Sequence, residues 1–176
     1  MKMDDAPIGL EDTQFTTAEI VEISGVPDKS IRNWLHRGLL EVGEIHFSGR
    51  RLYSLVDAIR LTVMQSLTNR VPLKPTDAVD AAELLVRYVL KHAPVDHHGR
   101  ALLDLRDTPI SRAYAIAIVD GKARAGLIDP KQPGGYAEFG SLWAEPHIVV
   151  PIIPLVQGVQ FRTIGVLAAR KTGRSA

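Results

Sequence analysis

The chain contains no cysteine. Disulfides, thiolate metal sites and a cysteine nucleophile are therefore excluded together. The start, Met1-Lys2-Met3-Asp4-Asp5, is short and acidic, with no apolar run behind a basic head, so no secretory leader is expected. No apolar stretch is long enough to span a bilayer. These absences lead to the expectation of a cytoplasmic protein with no membrane partner. Internal repeats and low-complexity tracts are missing too. So are a Walker loop, a dinucleotide fingerprint, a Gly-x-Ser-x-Gly elbow and a His-Glu-x-x-His pair. Asp104, Asp107, Glu145 and His147 have no spacing that demands catalysis. Neither an enzyme nor a cofactor is expected.

Net charge is also nearly lacking, at +1 over 176 residues, but it is unevenly spread. Residues 1–28 carry −6 and residues 29–60 carry +3. A near-neutral total can hide a basic face, and the local face is what meets phosphate. At 45% hydrophobic residues the chain can bury a core, and its length allows one ordinary domain or two small ones.

Phe15 to Asn69 carries the strongest pattern. Thr16 followed by Glu19 fits a capping box, and Ile20, Val21 and Ile23 give the first helix an apolar side. Gly25-Val26-Pro27 ends that helix, and Asp28 is suited to cap the next. There Ile31, Trp34 and Leu35 share one side, which turns Trp34 toward the core rather than toward a ligand. Lys29, Ser30, Arg32, Asn33, His36 and Arg37 are left facing solvent. Asn and Arg can contact base edges in pairs, while Arg, Lys and Ser can hold phosphates. Gly38 stops the helix and Leu39-Leu40 returns to the core. Val42 to Phe47 and Arg51 to Tyr53 then read as two strands joined through Ser48-Gly49-Arg50, a wing. Tyr53 is suited equally to packing and to phosphate binding. His36 and His46 read as surface residues and Arg60 as a solvated helix residue. Ser54 and Asp57 form another capping pattern before a third helix with Val56, Ile59, Val63 and Leu67 inward.

This segment resembles the winged helix-turn-helix of the MerR family of transcription regulators. The resemblance rests on Gly25-Val26-Pro27 at the turn, Ser30-Ile31-Arg32, Gly38-Leu39-Leu40, and Arg50-Arg51-Leu52-Tyr53. Asn33 and Leu35 depart from the tyrosine and glutamate of the family pattern. The resemblance covers roughly the first 70 residues. It implies that Arg32 touches double-stranded DNA from a recognition helix, and that Arg51 and Tyr53 do so from the wing.

Beyond it, Val71-Pro72-Leu73-Lys74-Pro75 breaks the chain, so one unbroken long helix is not expected. A helix over 76–91 carries Val79, Ala82, Leu85, Val86, Val89 and Leu90 on a wide apolar side, with Glu83 and Arg87 spaced as an ion pair. That side buries against the rest of the chain or against a second subunit. His92, His97 and His98 lie in a loop-like stretch with no metal-site frame, and no metal is expected. Tyr114 to Ile128 reads as a β-hairpin around Asp120-Gly121, pairing Ile118 with Ala123, Ile116 with Ala125 and Tyr114 with Leu127. Lys131 to Gly135 reads as a loop, with a short strand within 136–143. Residues 147–153 form a further strand that Pro151 confines to an edge or a bulge. Residues 155–170 fit a helix with Val156, Val159, Ile164 and Leu167 inward better than a strand. Arg170-Lys171-Thr172-Gly173-Arg174 reads as a frayed basic end.

The expected architecture is α+β: a winged helix-turn-helix over residues 1–71, then a mixed α/β region over 76–176 for dimerisation, effector sensing or partner binding. The expected function is a sequence-specific DNA-binding transcriptional regulator, as a homodimer on an inverted repeat. The alternatives are an antitoxin-type autoregulator, an excisionase-like DNA-architectural factor, and a ligand-binding protein with an appended helix-turn-helix. For an organic effector, Tyr136, Phe139 and Trp143 are the candidate pocket wall.

Overall fold

The computed structural model describes residues 8–69, 73–102, 113–119, 122–128 and 147–173. The first half runs α1 (Thr17–Ser24), α2 (Asp28–His36), β1 (Glu44–Ile45), β2 (Arg51–Leu52) and α3 (Leu55–Asn69). The second runs α4 (Pro75–His92), β3 (Ala113–Val119), β4 (Lys122–Ile128), β5 (His147–Pro151) and α5 (Ile152–Lys171). The Asp120-Gly121 turn, the stretch from Lys131 through Tyr136, Phe139, Trp143 and Glu145, and Asp104, Asp107 and Arg174 lie outside the described residues.

Helix α1 starts at the expected capping box. The Thr16 N–H donates to Glu19 Oε2 at 2.8 Å and the Glu19 N–H donates back to Thr16 Oγ1 at 3.4 Å. Its end is fixed by a hydroxyl that the sequence pattern does not reveal. Buried Ser24 Oγ donates to Ile20 O at 2.6 Å and accepts from the Val26 N–H at 3.2 Å, which sets the turn into α2. Asp28 is not the cap of α2. Pro27 holds that position without a side-chain bond, and the Asp28 carboxylate turns one helical turn forward to Arg32.

Helix α3 is the centre of the molecule. It buries Leu55, Val56, Ala58, Ile59, Leu61, Val63, Met64 and Leu67, a wider belt than the single stripe expected, because α1, α4 and α5 all pack on it. Helix α4 begins with Pro75 in its first turn, where the missing N–H has no helical partner to lose. It lies along α3 and β4, so the chain itself covers Ala78, Ala81, Ala82, Leu85, Val86 and Val89. Glu83 pairs with α3: Arg60 Nε lies 2.5 Å from Glu83 Oε1, and Arg60 Nη1 lies 3.0 Å from Asp57 Oδ1. Arg60, expected in solvent, is instead the part-buried bridge between the two helices.

Strands β3 and β4 pair antiparallel with Ile118 opposite Ala123, Ile116 opposite Ala125 and Tyr114 opposite Leu127, the same pairs as in the sequence reading. β5 joins the other side of β3, giving the order β4-β3-β5. Pro151 ends β5 at the sheet edge, where its lack of an N–H breaks no ladder.

Helix α5 buries Val156, Val159, Thr163 and Val166. The expected stripe through Ile164 is therefore displaced by one position, and Ile164 is 60% exposed. Thr163 is hidden because its hydroxyl donates to Val159 O at 2.8 Å, which removes the penalty of a buried polar group. Residues 170–173 are not a frayed end. Arg170 Nε lies 2.5 Å from Glu19 Oε1, and Arg170 Nη2 donates to Gln14 O at 2.9 Å. Its guanidinium also lies over the Phe15 ring, 5.1 Å from the centroid. Eight residues earlier, Arg162 donates from Nε to Ile23 O at 2.6 Å and from Nη2 to Ser24 O at 3.2 Å. Eight helical residues span about 12 Å, the length of the 8-residue α1. The two arginines thus hold opposite ends of α1 from one antiparallel helix.

The Arg170 guanidinium, with the Thr16 bonds, holds the Glu19 carboxyl down at about 2 from an ordinary 4.5, against the opposing effect of its burial. A depressed carboxyl pKa stabilises the fold above the unfolded value and loses that effect as pH falls through the folded one. Wild type is expected to lose a stability increment between about pH 4.5 and 2 that Glu19→Gln lacks. Urea denaturation of both proteins from neutral pH downward checks this. Parallel curves would mean that the Glu19–Arg170 pair contributes nothing.

Candidate nucleic-acid interface

Helix α2 separates its residues by face. Ile31 and Trp34 are buried and Leu35 is half-buried, while Lys29, Arg32, Asn33, His36 and Arg37 are exposed and Ser30 is partly so. The helix closes in a Schellman arrangement: the Leu39 N–H donates to Trp34 O at 2.9 Å and the Gly38 N–H to Leu35 O at 3.0 Å. Leu40 then enters the core. Burial of Trp34 and Leu40 fixes the roll of α2, so its five exposed polar side chains project from one firmly seated helix.

Arg32 is 75% exposed and paired in two places with Asp28, including Nε to Oδ1 at 2.9 Å. An exposed pair of this kind is worth only about 0.2–1 kcal/mol. Exchange of the carboxylate for a phosphate or a guanine edge is therefore inexpensive.

The following hairpin is shorter than expected, with Glu44 opposite Leu52 and Ile45 opposite Arg51. Phe47 lies in its turn and not in a strand. The turn is closed by the His46 N–H to Arg50 O and the Gly49 N–H to His46 O, both at 2.8 Å. Arg50 is exposed at this end. Arg51 differs: its Nη1 donates to Val42 O at 2.7 Å and to Gly43 O at 2.9 Å, so it braces the base of the hairpin. Tyr53 is 2% exposed, and its backbone pairs with Phe15 in both directions, at 2.8 and 3.0 Å. Of the two roles open to Tyr53, packing is the one observed.

Asp57 unites these parts. Its Oδ2 accepts from the Ser54 N–H at 2.9 Å, from Ser54 Oγ at 3.1 Å and from the Gly43 N–H at 3.2 Å, while Oδ1 faces Arg60. The Ser54–Asp57 spacing signals the cap. Nothing local in the sequence signals the reach to Gly43 or onward to Glu83.

The loop after α4 is organised by its own acid. Asp96 Oδ1 accepts the His98 and Arg100 N–H groups, each at 2.9 Å, and Oδ2 accepts Arg100 Nε at 2.8 Å. The Arg100 N–H is the largest reason that this carboxyl is held at about 2. The acid beside His97 and His98 is thus already engaged. Among the described residues no group of three or more His, Asp and Glu side chains is placed to hold a metal ion.

Gly43 has φ +69, and a Cβ there would lie 2.8 Å from both Leu52 O and Tyr53 Cδ1. Gly38, at φ +64, has nothing within 4 Å of such an atom. Gly38→Ala is expected to lose about 1–2 kcal/mol from backbone strain alone. Gly43→Ala is expected to lose more, with the hairpin base forced apart, as measured by urea denaturation. Equal losses would show that the base of the hairpin yields freely.

Residues 15–77 match the family model for MerR HTH family regulatory proteins. No curated protein matches the chain. The matched stretch holds α1, α2, the hairpin, α3 and the first turn of α4. The chain carries a MerR-like helix-turn-helix module over residues 15–77, which suggests a DNA-binding transcriptional regulator.

Proposed function

We propose that the protein is a sequence-specific transcriptional regulator that binds double-stranded DNA as a homodimer on an inverted repeat. The observation that carries this reading is the exposed face of α2, with Lys29, Arg32, Asn33, His36 and Arg37 together, inside the stretch that matches the MerR family model. In this reading α2 enters the major groove. Arg32 and Asn33 read base edges, while Lys29, Ser30, Arg37 and Arg50 hold phosphates. His36 lines the same face. Arg51 acts indirectly, by bracing the hairpin.

A single small module makes few base contacts, and a symmetric dimer doubles them. Residues 76–176 supply the dimer contact and an effector or partner surface. The reading is of a cytoplasmic regulator and not of an enzyme. Among the described residues no helix is long and apolar enough to cross a membrane.

Footprinting at physiological salt across the DNA upstream of the protein's own coding sequence, and genome-wide, tests the reading. Wild type is expected to protect an inverted repeat, and Arg32→Ala to weaken binding by about 1–3 kcal/mol. Arg50→Ala is expected to lower the salt slope by about one without changing sequence preference. Protection of a single unrepeated site would overturn the dimer. No protection anywhere would overturn the DNA reading.

A further inference from the structure

Phe47 is 95% exposed at the tip of the hairpin, and Ile45 beside it is 70% exposed. Neither the core nor the turn accounts for a phenylalanine there. The turn is closed by backbone bonds and by Gly49 at φ +76, and first-corner positions favour proline or small polar residues. The ring instead lies against its neighbour His46, with centroids 3.8 Å apart.

The mounting under this ring is firm. Arg51 ties the hairpin to the carbonyls of Val42 and Gly43, and Asp57 holds the Gly43 N–H. The backbone of a tip on such a base is pre-oriented, so less ordering is lost when it contacts a partner. The tip is narrow: three residues, Phe47, Ser48 and Gly49, lie beyond the His46–Arg50 closure. Exposed His46 and Arg50 flank it and carry donors suited to phosphates.

We propose that Phe47 is a wedge that enters the DNA minor groove and unstacks one base step. The proposal rests on the DNA-binding reading above and adds to it a deformation of the site. The minor groove is about 6 Å wide and about 7.5 Å deep, which admits a three-residue tip but not a whole sheet. Apolar side chains inserted there kink the duplex. Pyrimidine–purine steps yield most easily, so the wedge would select such a step without any hydrogen bond to it. Ile45, behind the tip, supplies apolar contact to the sugar walls. Exposed His46 and Arg50 on the two sides of the tip match a duplex, which presents phosphates on both sides of the groove.

The test uses the full chain and a duplex that it selects from a random-sequence pool. Bending is read by energy transfer between dyes at the duplex ends. Unstacking is read by 2-aminopurine fluorescence, placed in turn at each step. Wild type is expected to bend the duplex and to brighten one step. Phe47→Ala is expected to keep the wild-type circular dichroism and salt slope, to bind tenfold or more weakly, on the scale of roughly one lost base–aromatic stack, and to lose both signals. Phe47→Leu is expected to keep part of the bend. Wild-type affinity and bend in Phe47→Ala would overturn the wedge alone and assign the tip to another partner. Failure to select any duplex would overturn the DNA reading and the wedge with it.

Discussion

The two arginines of α5 are the constraint on which the seating of the helix-turn-helix depends. Arg170 grips the first turn of α1 through Glu19 and Gln14 O, and Arg162 grips its last carbonyls at Ile23 and Ser24. A short helix of eight residues is marginal alone, since its nucleation is hardly repaid by the bonds that follow. Here its ends are satisfied from outside. An acid lies near the positive end of the dipole and a cation at the negative end, each with a specific partner. Burial pulls the Arg162 pKa below its ordinary value, and the two carbonyls are the acceptors that face the guanidinium there.

A second junction stands at the opposite edge of the module. Asp57 gathers the start of α3, the base of the hairpin and Arg60, and Arg60 passes the connection to Glu83 on α4. A carboxylate that is 7% exposed is stable only with such a set of donors. The result is a hairpin whose base belongs to the core and whose tip belongs to solvent. That contrast ties Arg51 to the hairpin base and buries Tyr53, and it leaves Arg50 and Phe47 exposed.

Much of this was legible locally. The capping boxes at Thr16–Glu19 and Ser54–Asp57, the burial of Ile31 and Trp34, and the β3–β4 pairing follow from short spacings with one physical cause each. The misreadings arise where a partner distant in sequence decides. Arg60 reads as a solvated charge, Glu83 as the partner of Arg87 and Arg170 as part of a frayed end, because the Arg60–Glu83 and Glu19–Arg170 pairs span 23 and 151 residues. Thr163 looked polar and Ile164 apolar, yet a bond to the preceding turn lets the threonine take the buried place. Phe47 ends the strand expected over Val42 to Phe47, but the chain already turns at that point, closed by the His46 N–H to Arg50 O bond. Within the candidate interface, the outward face of α2 was readable from its period. The surroundings of Arg51 and Tyr53 were not, because they depend on backbone groups distant in sequence: the Val42 and Gly43 carbonyls for Arg51, and Phe15 for Tyr53.

The stretch that matches the MerR family model does not enclose its own core. Val150, Val156, Val159 and Val166 belong to the same buried cluster as Phe15, Ile20, Ile23, Leu61 and Met64. Leu10 extends the cluster from before the match, its N–H donating to Ala101 O at 2.7 Å and its carbonyl accepting the Val56 N–H at 2.9 Å. A helix-turn-helix that closed on itself would leave the region behind it free to vary without consequence for α2. In this chain α5 contacts the carbonyls immediately before the Gly25-Val26-Pro27 turn, and that turn sets the direction in which α2 departs. Displacement of α5 would strip the Ile23 carbonyl of its arginine donor, leave the Ser24 carbonyl with Thr62 Oγ1 alone, and separate Arg170 from Glu19, since both arginines ride on one helix. The orientation of the exposed face of α2 is therefore tied to the packing of the C-terminal helix through a few named hydrogen bonds.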